Sequence, residues 1–88
     1  MAQYSTTFDT SVFEYDSTKE LFKTVFNTSN LTGFTGGFEF SAISILKYDT
    51  TRNRFCETLA YYEIDSSGNL YVYAAEKFNG KITIITDI

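Results

Sequence analysis

The apolar positions along the chain fall into two unequal patterns. From Phe38 to Ile88 the segments Phe38–Tyr48, Arg54–Ile64, Leu70–Phe78 and Lys81–Ile88 are rich in Phe, Tyr, Ile, Val and Thr. They are separated by Asp49–Asn53, Asp65–Asn69 and Asn79–Gly80. β-Branched and aromatic runs between turn residues read as strands, so this half predicts a four-stranded antiparallel meander. The Asn79-Gly80 pair between alternating runs predicts a two-residue type I′ hairpin. The segment 54–64 also fits a helical stripe (Phe55, Cys56, Leu59, Ala60, Tyr62), but its hairpin-like flanks favour a strand. In 38–48 the alternation shifts phase after Ala42, as a bulge or burial on both faces would produce.

Upstream, Leu21, Phe22, Val25 and Phe26 recur at helical spacing. Ser17 followed by Glu20 forms a capping-box pattern, in which hydroxyl and carboxylate each satisfy a free backbone N–H. A helix is therefore expected over about residues 18–27, ended by Asn27-Thr28-Ser29-Asn30. Residues 4–15 read as one irregular strand, or two pieces bent around Asp9–Ser11. The expected fold class is α+β: one short N-terminal helix packed on the meander, with an additional N-terminal strand. The order strand, helix, four-stranded meander is similar to cystatin-like folds in architecture. The inhibitory Gln-x-Val-x-Gly loop of cystatins has no counterpart in Asp49-Thr50-Thr51-Arg52-Asn53. No site residue is carried over from that resemblance.

Composition narrows the function more than it defines it. Eighty-eight residues make a single domain, 1–88, with nine Phe and seven Tyr to build its core. The net charge is −4 and the seven bases are scattered, so no basic stripe offers itself to a phosphate backbone. The chain opens on a polar run without the basic and apolar regions of a signal peptide, and no apolar run approaches ~20 residues. A cytoplasmic protein that engages neither nucleic acid nor membrane is expected. The Asn-x-Ser/Thr triplets at Asn27 and Asn30 then read as polar loop.

No catalytic, cofactor-binding or metal-ligating set emerges. Histidine is absent, and the single Cys56 lies in an apolar run, where it reads as a small buried hydrophobe. Asp65, Ser67, Asn69 and Glu76 match four positions of a calcium loop, but Leu70 stands where that loop needs Gly. Glu57 and Glu63, six residues apart on one strand, would lie ~20 Å apart, too far for a catalytic pair. The glycine-rich 31–37 has neither a following Lys nor a helix and reads as a linker.

The register implied by Asn79-Gly80 sets Lys81 opposite Phe78, Ile84 opposite Ala75 and Thr86 opposite Tyr73. Both faces are then apolar, and 81–88 becomes an edge strand whose run Ile82-Thr83-Ile84-Ile85-Thr86 lacks charge and Pro. A non-enzymatic protein-interaction module is the leading expectation, self-associating through its sheet as a homodimer or holding a protein partner. An accessory or inhibitor protein of phage or mobile-element type would be one version of it. The candidate interface residues are Tyr61, Tyr62, Tyr71, Tyr73, Ile82, Ile84 and Ile88. The alternative is a small-ligand-binding domain with an aromatic cup between helix and sheet, where Glu39 or Glu57 points inward.

Overall fold

The computed structural model describes residues 2–34 and 36–86. It holds eight strands: β1 (Ala2–Phe8), β2 (Glu14–Asp16), β3 (Leu21–Phe26), β4 (Ala42–Asp49), β5 (Arg54–Glu57), β6 (Ala60–Ile64), β7 (Leu70–Ala74) and β8 (Gly80–Thr86). Three single-turn 3-10 segments complete it, at Thr10–Val12, Thr28–Asn30 and Phe38–Phe40. The strands form two four-stranded antiparallel sheets, ordered β1-β8-β4-β5 and β2-β3-β7-β6. The expected helix packed on one sheet is not what this chain forms.

The chain alternates between the sheets in pairs. Hairpin β2–β3 belongs to the second sheet, β4–β5 to the first, β6–β7 to the second, and β8 returns to pair with β1. Two sheets facing each other bury one side chain in two from each strand. Phe8, Ile82 and Ile84 come inward from the first sheet, and Phe26, Leu70, Val72 and Ala74 from the second. Phe13, Leu31, Phe34, Phe38 and Phe78 close the gap from the connections. Phe8 is the hub, with ring centroids 5.8 Å from Phe13, 5.5 Å from Phe26 and 5.4 Å from Phe78.

Turn chemistry explains why the chain reverses where it does. Five Asx-Ser/Thr-Ser/Thr triplets, at Asp9, Asp16, Asn27, Asp49 and Asp65, mark its bends. In each, the side-chain oxygen accepts the backbone N–H two residues on, at 2.8–3.0 Å. This local bond imitates a backbone turn and competes with both helix and ladder. The β2–β3 and β4–β5 hairpins are close copies. Asp16 and Asp49 each accept a second N–H at 3.2 Å, from Lys19 and Arg52. Glu20 and Asn53 take the left-handed conformation, at φ 56° and 53°. Tyr15 then packs on Phe22 and Tyr48 on Phe55, both ring pairs at 72°.

These bonds overturn the helix expected at 18–27. Asp16, rather than Ser17, caps the reversal, and Glu20 leaves the right-handed region that a capping box needs. A spacing of four residues serves a helix turn and two strand repeats equally, so Phe22 and Phe26 fit both readings. Thr24, buried between them, completes the strand's inner row, while Val25 is exposed.

The meander is corrected in the same way. Segment 54–64 is strand, but it breaks at Thr58-Leu59 into β5 and β6, which lie in different sheets. The Asn79-Gly80 hairpin does not form. Neither residue has a positive φ, so the type I′ turn is absent, and 75–79 carries the chain from one sheet to the other. Gly80 is needed for space: a Cβ there would lie 2.5 Å from the Leu46 carbonyl oxygen and 2.6 Å from the Phe8 ring. Asn79 gives its backbone oxygen to the Tyr48 N–H at 2.8 Å and its Oδ1 to the Thr10 N–H at 3.1 Å. β8 is thus internal, flanked by β1 and β4, and is no edge.

Candidate interaction surface

The outer face of the second sheet gathers three of the chain's seven tyrosines, Tyr61, Tyr71 and Tyr73. On β7, Tyr71 and Tyr73 point away from the core. On β6, Tyr61 lies directly opposite Tyr73, and on β3 Lys23 does. The Tyr61 and Tyr73 rings stack with centroids 5.1 Å apart at 24°, and Tyr71 continues the stack 6.5 Å from Tyr73. Cross-strand aromatic pairs stabilise a sheet by roughly 0.2–1 kcal/mol each.

Two lysines lie across the rings. Lys19 Nζ sits 4.9 Å from the Tyr73 centroid and donates to Glu63 Oε1 at 3.1 Å. Lys23 Nζ is 5.9 Å from the Tyr71 ring and 3.6 Å from Asp16 Oδ2. An ammonium over a ring face is attracted by the ring quadrupole. Each cation is therefore held by a ring and a carboxylate together, and the face is electrically compensated.

The same contacts set the proton affinities. The bond to Glu63 raises the Lys19 pKa above its ordinary value. Burial, followed by the nearby Glu63 charge, raises Tyr73. Hydrogen bonding to the Asp65 carboxylate raises Tyr71. Asp65 is itself lowered, first by the Asn69 backbone N–H. Each of these four shifts moves its group away from neutral pH.

Beside the stack lies an open apolar hollow of about 300 Å³, lined by Leu21, Leu59, Ala60, Tyr61, Tyr73, Ala74 and Ala75. Leu59 stands at the break between β5 and β6 and is 95% exposed. Tyr61, at 45% exposure, also lines it, as does Tyr73, which is buried at 5%.

The sequence-derived candidates separate in the structure. Tyr61, Tyr71 and Tyr73 come together on this face. Tyr62 alternates to the other side of β6, opposite Val72. Ile82 and Ile84 have no exposed surface and form core between the sheets. Ile88 lies outside the described residues. Lys19, Lys23, Leu21 and Leu59 were missed. Reading 21–25 at a period of two would have placed Leu21, Lys23 and Val25 on the outer face.

The aromatic cup loses one wall with the helix, and the inward side chains of the two sheets join in one core cluster. Glu39 and Glu57 are both exposed. Among the described residues no group of three or more Cys, Asp or Glu is placed to hold a metal ion. No helix there is long and apolar enough to cross a membrane. Comparison of the chain with protein-family models, with curated proteins and with solved structures finds no match.

Proposed function

We propose that this chain is a small, non-enzymatic protein-interaction module that takes a partner's apolar side chain into the hollow beside the tyrosine stack. The observation that carries this reading is Leu59. A single exposed leucine is ordinary on a protein surface. Leu59 instead stands at a strand break and lines an open apolar hollow together with the half-exposed Tyr61. Burying it fully would gain about 1.5–3 kcal/mol. Tyr61 adds a ring with few rotatable bonds, already aligned by Tyr73, so little order is lost on contact.

The paired charges around the hollow serve as a polar rim. Lys19–Glu63 and Lys23–Asp16 are each compensated, so a docking apolar group meets no unpaired ion. A photo-reactive residue at position 59 is expected to trap one discrete partner in extract of the source cells. The same residue at position 52, in the β4–β5 turn, is expected to trap none. Tyr61→Ala should abolish the adduct from position 59. Equal labelling from both positions, or persistence of the adduct in Tyr61→Ala, would overturn the proposal.

A further inference from the structure

The open edge of the first sheet is a second surface, distinct from the tyrosine face. Each sheet has two edges, and three of the four are short or charged. β2 has three residues, including Glu14 and Asp16; β5 has four, including Arg54 and Glu57; β6 has five, including Glu63. β1 is different. Its seven residues, Ala-Gln-Tyr-Ser-Thr-Thr-Phe, carry no charge and no Pro. Edges are normally blunted by such features, because free backbone groups invite another strand.

Which groups of β1 are free follows from register. Tyr48 N donates to Asn79 O, in line with the β4–β8 register that sets Lys47 opposite Gly80. In an antiparallel ladder the bonded pairs alternate, so Lys81, Thr83 and Ile85 bond to β4 and Ile82 and Ile84 turn to β1. Their partners on β1 are Thr6 and Tyr4. The N–H and C=O groups of Gln3, Ser5 and Thr7 therefore point away from the sheet, the Thr7 oxygen accepting the Thr6 hydroxyl at 3.5 Å, and all three residues are exposed.

We infer that the occupant of this edge is β1 of a second copy, paired antiparallel about Ser5. In that two-fold register Ser5 faces Ser5, Gln3 faces Thr7 and Tyr4 faces Thr6. About six new backbone bonds would form from the three outward residues of each strand. Every facing side chain on the outer surface is an uncharged hydrogen-bonding group, so the strand is complementary to itself, as a two-fold interface requires. Hydroxyl and amide pairs opposite one another favour such a ladder, and like charges would oppose it. The result is a continuous eight-stranded sheet through the dimer. It does not depend on the hollow beside Leu59, so either surface can fail without the other.

Light scattering on size-exclusion peaks of the whole protein tests the pairing. The wild type is expected to be a dimer at micromolar concentration. Ser5→Lys and Ser5→Asp, which place like charges opposite each other across the axis, should each weaken the dimer at least tenfold. An equimolar mixture of the two should restore it as a heterodimer. Circular dichroism checks that the variants fold; if Ser5→Lys does not, Thr7→Lys mixed with Gln3→Asp probes the same register. A monomeric wild type, dimers that survive Ser5→Lys, or a mixture that fails to associate would each overturn the inference. So would recovery of β1 paired with a different protein instead of itself.

Discussion

Five Asx side chains bend this chain, and their chemistry carries a pH signature. Asp9 is lowered from its ordinary pKa, first by the Ser11 hydroxyl and then by the Ser11 backbone N–H. Asp16 is lowered first by the Lys19 N–H, and Asp65 first by the Asn69 N–H. A carboxylate that binds protons less readily when folded leaves the unfolded chain holding more of them in acid. Stability therefore rises with pH through that range. The contribution is complete above the unfolded value of about 3.9 and is lost as pH falls through the lower folded values. Asn27 makes the same turn with an amide, so the turn itself does not require a titrating group. Urea midpoints measured from neutral pH into acid should accordingly fall less steeply for Asp9→Asn than for the wild type, with the greatest convergence below pH 4. An unchanged acid slope would mean that the Asp9 turn is not retained in solution. At this scale the sequence is readable in part: bends, ends or loops are expected at Asp9, Asn27, Asp49 and Asp65, whereas 16–18 reads as a helix start. What escaped was that Asp16, not Ser17, was the capping residue, because Ser17 and Glu20 happen to satisfy a capping-box pattern as well.

At the scale of elements, the ambiguity lay in periodicities that coincide. Leu21, Phe22, Val25 and Phe26 satisfy a helix through their spacing of four, and a strand satisfies the same spacing at its second repeat. What decides between them is context that the local pattern lacks: β7 lies alongside, offering Leu70, Val72 and Ala74 to the Phe26, Thr24 and Phe22 row. Asn79-Gly80 failed for a related reason. Gly there answers the close approach of Leu46 and Phe8, contacts distant in sequence that no dipeptide rule contains. The two readings of 17–26 predict opposite signs for one substitution. In a helix, Gly at position 20 would sit in the first turn, where it would cost roughly 1 kcal/mol. In the hairpin, Glu20 holds φ 56°, a conformation that costs an ordinary L-residue about 1–2 kcal/mol and glycine almost nothing. Glu20→Gly is therefore expected to raise the urea midpoint, by roughly 1 kcal/mol in stability after the entropy of the added glycine is deducted. Asn53→Gly, at the matching position of β4–β5, should change stability less, because Asn tolerates that region.

For the whole molecule, the decisive feature is where β8 lies. As the outer strand of a meander it would present bare backbone groups to solvent. Between β1 and β4 both of its sides are bonded, and it delivers Ile82 and Ile84 into the space between the sheets. A single sequence could not show this, because the pairing of β8 with β1 joins residues about eighty positions apart, and nothing local marks it. Amide hydrogen exchange separates the two arrangements without a mutation. An edge strand protects alternate amides, since every second N–H faces water; an internal strand protects them in succession. Uninterrupted slow exchange from Lys81 to Thr86 is expected, among the slowest in the molecule because the surrounding core must open to release it. β1 should show the alternation instead, with Tyr4 and Thr6 protected and Gln3, Ser5 and Thr7 fast when the protein is dilute. Raising the concentration should slow that fast set selectively, as the second copy's strand covers it, while β8 remains unchanged. Alternating protection in β8 would refute the sandwich order. Fast exchange at Gln3, Ser5 and Thr7 at every concentration would leave the sandwich intact and remove only the self-pairing of β1.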